Sequence, residues 1–196
     1  MSSSHRSYLD FAVETAHLAG RLTLGYFQTG VRPDLKTDDT PVTVADRKAE
    51  ELIRARIEKR YPRHAIVGEE YGTKENEGAS HRWFIDPIDG TKSFLRGVPL
   101  YAVLIGLEIE GNIEVGVACF PALGELVAAA SGEGCWWNGR RAHVSEVSRL
   151  KHAVVVFSDV ATFSEFGRSE AWERIKRTTY HRAGWGDAYG HVLVVT

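Results

Sequence analysis

From residue 44 onward the apolar residues Ala45, Ala49, Leu52, Ile53 and Ile57 recur at three- and four-residue steps, the period of one helix face, and predict a helix over residues 44–61. A second amphipathic stretch predicts a helix over roughly residues 8–27. Short apolar runs near Ile66 and Phe84 read as strands, each ending in glycine or acidic residues. Two longer apolar runs, 101–109 and 113–119, flank Glu110-Gly111-Asn112 and predict an antiparallel hairpin. Pro121 and Gly124 mark a turn into a strand over 125–131, and Asn138-Gly139 marks a tight turn. Farther on, residues 153–157 read as a buried strand, and 169–179 as a helix with Trp172 and Ile175 facing inward. Residues 187–196 read as a helix that stops within an apolar run, with no stop signal after it. No internal repeat or low-complexity linker interrupts the series.

Charge narrows the class of partner. The chain has 26 acidic and 24 basic residues, a net charge of −2, so no broad basic excess invites nucleic acid. The cluster Arg54, Arg56, Lys59, Arg60 and Arg63 lacks interleaved aromatics and reads as a solvated helix face. No apolar run reaches the length of a membrane span. The two cysteines, Cys119 and Cys135, have neither disulfide-framework nor zinc spacing, and the N-terminus lacks an apolar signal core, so a reducing cytoplasm is the expected location.

The candidate chemistry lies in Trp83-Phe84-Ile85-Asp86-Pro87-Ile88-Asp89-Gly90-Thr91-Lys92-Ser93-Phe94. Here an apolar strand delivers Asp86, Pro87 fixes one backbone dihedral, and Gly90 permits close approach of a bound group. With only oxygen donors on offer, Mg²⁺, Mn²⁺ or Ca²⁺ is preferred over zinc. The competing structural reading is an Asx-rich turn in which both acids bond local amides. Upstream, His64-Ala65-Ile66-Val67-Gly68-Glu69-Glu70 repeats the design and offers a third carboxylate, Glu69, with Glu70 as a supporting or exposed acid. Asp46 opens the second helix after Thr43-Val44-Ala45, a spacing that equally suits a capping box. Thr91 reads as the N-cap of a short helix whose free amides suit a phosphate, and Lys92 as a solvated cation.

Taken together, P-V-T-V-A-D, G-E-E and W-F-I-D-P-I-D-G-T-K-S-F resemble the inositol monophosphatase family of metal-dependent phosphatases. Gly132-Glu133-Gly134-Cys135-Trp136-Trp137-Asn138-Gly139 and Gly184-Trp185-Gly186-Asp187 fit the same resemblance. It implies an α+β fold of layered helices and sheets, with a metal-site domain over residues 1–150 and the beginning of a smaller α/β domain over 151–196. It also implies that Glu69, Asp86 and the Ile88 carbonyl ligate one ion, while Asp86 and Asp89 ligate a second. Magnesium is the expected ion, two or more per site, with manganese as the alternative. Asp46, Thr91 and Glu69 are then the catalytic residues, the first two orienting or deprotonating a metal-activated water. The main chain at Ile88, Asp89, Gly90 and Thr91 is expected to receive the phosphate.

The segment Arg182-Ala183-Gly184-Trp185-Gly186-Asp187 resembles the histidinol-phosphate phosphatase branch, which implies that Arg182 and Asp187 contact substrate. Asp187 can pair with the ammonium or imidazole of histidinol, or simply cap the following helix. The expected reaction is therefore hydrolysis of L-histidinol phosphate in histidine biosynthesis, with inositol-1-phosphate or a related sugar phosphate as the rival substrate. An aspartyl-phosphate mechanism fits less well, because its nucleophile stands two residues before an acid, whereas Asp86 and Asp89 are three apart. The family pattern ends in a W-D-x-A segment that this sequence lacks, so the expected fold lacks its C-terminal part. A non-catalytic interaction module is the alternative of another class. A small phosphate monoester and a second copy of the chain, as a homodimer, are the expected partners.

Overall fold

The computed structural model describes the backbone of residues 2–37 and 39–196, with side chains from His5 onward. The chain divides into two compact units, Met1–Ala142 and His143–Thr196.

The first unit opens with α1 (Ser2–Leu24), followed by the short antiparallel pair β1 (Asp34–Leu35) and β2 (Pro41–Val42), then α2 (Val44–Arg60). Helix α1 starts and stops earlier than its apolar pattern predicts. Residues 25–30 turn instead, with Gln28 at φ 59° and Gly30 at φ 76°, conformations that a helix cannot continue through. Next come β3 (Ala65–Gly68), β4 (Gly72–Lys74), β5 (His81–Asp89), α3 (Thr91–Leu95), β6 (Ala102–Ile109), β7 (Asn112–Phe120), β8 (Glu125–Ala130), β9 (Gly134–Trp137) and β10 (Arg140–Arg141).

These strands, apart from β1 and β2, form one sheet in the order β10-β9-β8-β7-β6-β5-β3-β4. The predicted hairpin is β6 and β7, turning through Glu110 and Gly111 at φ 51° and 83°; Asn138 and Gly139, at 45° and 77°, turn β9 into β10. Neighbours are antiparallel with one exception: β3 pairs parallel to β5, in the register Gly68 opposite Ile85. Both strands therefore end at the same edge, and the acids that follow β3 emerge beside those that close β5.

Helices α1 and α2 cover one face of the sheet. Ala12, Ala16 and Ala19 on α1 are fully buried, and their small side chains let the helix lie close to the strands. On α2, Ala49, Ile53 and Ile57 face the same core as Trp83 and Ile85 of β5, Val103, Ile105 and Leu107 of β6, and Val115 and Val117 of β7. Ala45 instead joins a smaller cluster with Ile88, Phe94 and Tyr101, so α2 spans two apolar anchors.

The second unit holds β11 (Val154–Val156), α4 (Ala161–Glu165), α5 (Ser169–Thr178), β12 (His181–Ala183) and α6 (Asp187–Val195). Strands β11 and β12 pair in parallel, with the two intervening helices as the crossover. Trp172 stacks on Phe163 at 4.8 Å and meets the edge of Phe157 at 5.1 Å, as the inward face of α5 requires. The strand predicted over 153–157 is shorter and less covered than its apolar run suggests, since Val154 is 51 % exposed.

At the start of β5 an aromatic column shields polar atoms. Tyr61 stacks on His64 at 4.8 Å and His64 on His81 at 4.4 Å, while the Trp83 indole N–H donates to His64 Nδ1 at 3.0 Å. Burial, then His81 and Arg63, push the His64 pKa down to about 4 from 6.5. The folded chain thus binds fewer protons than the unfolded chain between those values, and the stability this residue contributes is present above pH 6.5 and lost as pH falls through about 4. Replacing it by a non-titrating acceptor, His64→Gln, is expected to flatten that acid limb: thermal midpoints measured from pH 7 to pH 4 should fall less in the variant than in the parent.

Candidate active site

Two acids three residues apart on a regular strand face opposite sides, because side chains alternate. Strand β5 breaks the alternation. Asp86 pairs with Leu104 and Asp89 with Ala102, so three steps on β5 oppose two on β6, the signature of a bulge. Pro87, which has no N–H to give a ladder, occupies the bulge, and the inserted residue brings Asp86 and Asp89 to the same side.

Glu69 arrives from β3. Its backbone N–H donates to the Ile85 carbonyl at 3.2 Å, extending the parallel pairing by one residue. Beside it, a cleft of about 420 Å³ is lined by Val67, Gly68, Glu69, Phe84, Asp86 and Leu104 among others. Asp86 is pushed up to about 9, first by burial and then by the Glu69 carboxylate beside it and by Asp89; the Ile88 N–H, donating to Asp86 Oδ1 at 3.2 Å, offsets only part of this. Glu69 and Asp89 thus both act on Asp86.

A cation already answers part of that charge. Lys36, just after β1, places its ammonium 2.7 Å from Glu69 Oε1 and 2.8 Å from Glu70 Oε1. Burial works against its charge, but the two acids together outweigh burial and raise its pKa. Glu70, read as a supporting or exposed acid, is the more covered of the pair: its side chain is 5 % exposed, against 42 % for Glu69.

Asp46 caps α2 and also faces Thr91. Its Oδ2 accepts the Thr43 N–H at 2.8 Å and the Thr43 hydroxyl at 2.5 Å, a capping box at the start of α2. Its Oδ1 lies 3.5 Å from the Thr91 hydroxyl, which also reaches the Ile88 carbonyl at 3.1 Å. Burial raises the Asp46 pKa, opposed by the Thr43 bonds and reinforced by Glu69. The single Thr91 hydroxyl hydrogen thus has two acceptors in reach, Asp46 Oδ1 and the nearer Ile88 carbonyl, and Asp46 and Asp86 both feel the charge of Glu69.

Two capping expectations are corrected. Thr91 is not the N-cap of α3: Gly90 is, at φ 82°, and Thr91 is the first helical residue, which frees its hydroxyl for Asp46 and Ile88. Asp187 does not cap α6 with its side chain either. Gly186 holds the N-cap, while Asp187 sits at φ 56° with its N–H donating to Ser158 Oγ at 3.0 Å. In the same unit, Arg182 is half-buried and donates to the Thr179 carbonyl at 2.8 Å. Lys92 is exposed.

Among the described residues, no three His, Cys, Asp or Glu side chains are set as a ready-made cage for one ion. The donor set nevertheless fits a hard divalent cation. Every donor is oxygen, the carboxylates repel one another, and an ammonium stands in as counter-ion on Glu69. Sequence reasoning missed Lys36 in this role, and it missed Glu50 and Arg54 of α2, which grip the turn after Gly68. Only the four-residue spacing of Glu50 and Arg54 hinted at the last pair.

Comparison with known proteins bears on the family and the fold. The profile of the inositol monophosphatase family matches residues 4–188. A histidinol-phosphatase of Chlorobaculum parvum is 44% identical over 189 residues, 96% of this chain and 73% of the relative. An inositol-1-monophosphatase of Mesorhizobium japonicum is 40% identical over 149 residues, 75% of this chain and 56% of the relative. The crystal structure of the extragenic suppressor protein SuhB from Bartonella henselae superposes with a TM-score of 0.87 at 30% identity, covering 96% of this chain and 74% of that one.

The raised pKa of Asp86 has a measurable consequence. Between its unfolded value of 3.8 and about 9 the folded chain holds a proton that the unfolded chain releases, so stability without divalent ions falls as pH rises through that window. In thermal unfolding from pH 7 to pH 9 with a chelator present, Asp86→Asn is expected to lose less than the parent. Added Mg²⁺ should raise the midpoint of the parent more than that of the variant.

Proposed function

The chain belongs to the inositol monophosphatase family and is a phosphomonoesterase, and from that premise we propose that it hydrolyses L-histidinol phosphate to L-histidinol and phosphate. The observation that carries the site is the gathering of Glu69, Asp86 and Asp89 at one end of the parallel strand pair. The choice of substrate is supported by the 44% identity to a histidinol-phosphatase across 96% of the chain.

We assign Glu69, Asp86 and Asp89, with the Ile88 carbonyl, to hold magnesium, and manganese where magnesium is scarce. Such ions, once held, supply Lewis acidity toward water and a sink for charge on the departing oxygen. The chain's own groups do the rest. The Thr91 hydroxyl, already within reach of Asp46 Oδ1 and the Ile88 carbonyl, orients the attacking water, and Asp46 Oδ1 takes its proton. Burial favours the protonated form of Asp46, which suits a group that must carry a proton during turnover. The turn at Gly90, in the left-handed region, leaves the amides of Gly90 and Thr91 free of a side-chain cap, and these are the groups assigned to the phosphate oxygens. Water adds to phosphorus, the ester P–O bond breaks, and the alcohol leaves with one proton.

On this reading Asp187 and Arg182 select the alcohol, Asp187 pairing with the ammonium or imidazole of histidinol. The second reading is an inositol or related sugar phosphatase, favoured by the 40% identity to an inositol-1-monophosphatase. The remaining assignments, a homodimer and a cytoplasmic location, rest on the family's general habit and on the free thiols of Cys119 and Cys135 respectively.

Release of inorganic phosphate tests both levels. Asp89→Asn is expected to cut metal-dependent release from a generic monoester such as p-nitrophenyl phosphate by more than the about 10–100-fold typical of losing a supporting group. Asp187→Ala should reduce turnover of L-histidinol phosphate more than turnover of inositol-1-phosphate. An equal loss on both substrates would remove Asp187 as the selecting residue.

A further inference from the structure

The turn that carries Glu69 is held from behind by a buried ion pair. Glu50, on α2 one turn after Asp46, is wholly buried and faces Arg54, whose Nε donates to Glu50 Oε1 at 2.7 Å. Glu50 is not spent on Arg54 alone. Its Oε2 accepts the backbone N–H of Glu70 at 2.7 Å, and its Oε1 accepts that of Tyr71 at 3.2 Å. Arg54 reaches on to the Gly72 carbonyl, and the Tyr71 hydroxyl to Glu51 on the same helix.

Gly68 completes the arrangement. A side chain at this position would collide with the Glu50 carboxylate and the Arg54 guanidinium, so glycine is required by the close approach of α2. The segment following β3 is thereby fixed on two sides: Glu69 is bonded to β5 through its own N–H, and the next two residues are bonded to α2. Since Asp46 projects from that same helix, both acids take their positions from one rigid element.

Resting on the metal-dependent phosphatase reading above, we infer that Glu50 and Arg54 act as a clasp that positions Glu69 for cation binding, without touching ion or substrate. A buried ion pair is weak evidence of stability in itself, because its desolvation offsets much of its attraction. What this pair supplies is direction. A charged acceptor shared by two successive backbone N–H groups fixes the path of the turn, and with it the aim of the carboxylate between Gly68 and Glu70.

The clasp can be disturbed from either side. Glu50→Gln keeps the shape but turns an NH₂ toward an N–H donor, breaking at least one of its three bonds. Gly68→Ala intrudes on the same carboxylate from the strand side, and Arg54→Lys keeps the charge while losing the guanidinium's second arm to Gly72. Mn²⁺ affinity, read directly by electron paramagnetic resonance on the full chain, should weaken by about 10–100-fold in Glu50→Gln and Gly68→Ala, and by less in Arg54→Lys. The metal concentration for half-maximal phosphate release should rise by the same factor, with KM for the ester unchanged at saturating metal.

Mn²⁺ affinities within twofold of the parent in folded Glu50→Gln or Gly68→Ala would overturn the inference and leave the pair a purely structural one. Should one of these variants fail to fold, the other two carry the test. A parent chain that binds Mn²⁺ but releases no phosphate would defeat the phosphatase reading, and the clasp would then be judged on affinity alone.

Discussion

The parallel pairing of β3 with β5 is the constraint on which the rest of the unit depends. In a sheet whose other neighbours are antiparallel, it alone sends two chain segments out of the same edge in the same direction. Hairpins carry no such consequence, since their strands finish at opposite ends. A parallel pair needs a connection that returns to the starting edge, and here β4 and the loop after it provide the route. The close packing of α1 and α2 on one face keeps this register from slipping, because a shift by one residue would carry Trp83 and Ile85 out of the core.

Convergence of acids costs electrostatic energy. Asp86 bears the largest share, held protonated by burial and by two like charges. The molecule offsets part of the cost locally, with Lys36, from the loop after β1, on Glu69 and Glu70, and with Thr43, the N-cap of the helix that carries Asp46, on Asp46. One ammonium answers two of the acids, and the repulsion that Glu69 and Asp89 exert on Asp86 remains. That residual repulsion is what the proposed divalent ions would relieve.

Much of this was legible in the chain. The step of apolar residues from Ala45 to Ile57 gives α2 nearly to the residue, and the glycine and asparagine turns give the hairpins. The match to the family motifs led to Glu69, Asp86 and Asp89, and the charges of the first and last both act on Asp86. Three features were not legible. The misplaced cap at Thr91 arose because a left-handed Gly90 can end an irregular segment as well as a hydroxyl can. Lys36 carries no local signal, as a lysine in a loop looks the same whether it meets solvent or two carboxylates 33 and 34 residues away. Glu50 carries no local signal, and Arg54, read as part of a solvated basic face, is instead mostly covered where it meets Glu50.

The bulge at Pro87 gives the motif an unusual kind of intolerance. Because a single inserted residue decides which layer of the sheet each aspartate addresses, what must be preserved between Asp86 and Asp89 is a count more than a composition. A change of side chain at Pro87 or Ile88 would disturb packing locally, but a codon gained or lost would rotate one acid to the far side of the sheet and dismantle the proposed centre while leaving every carboxylate present.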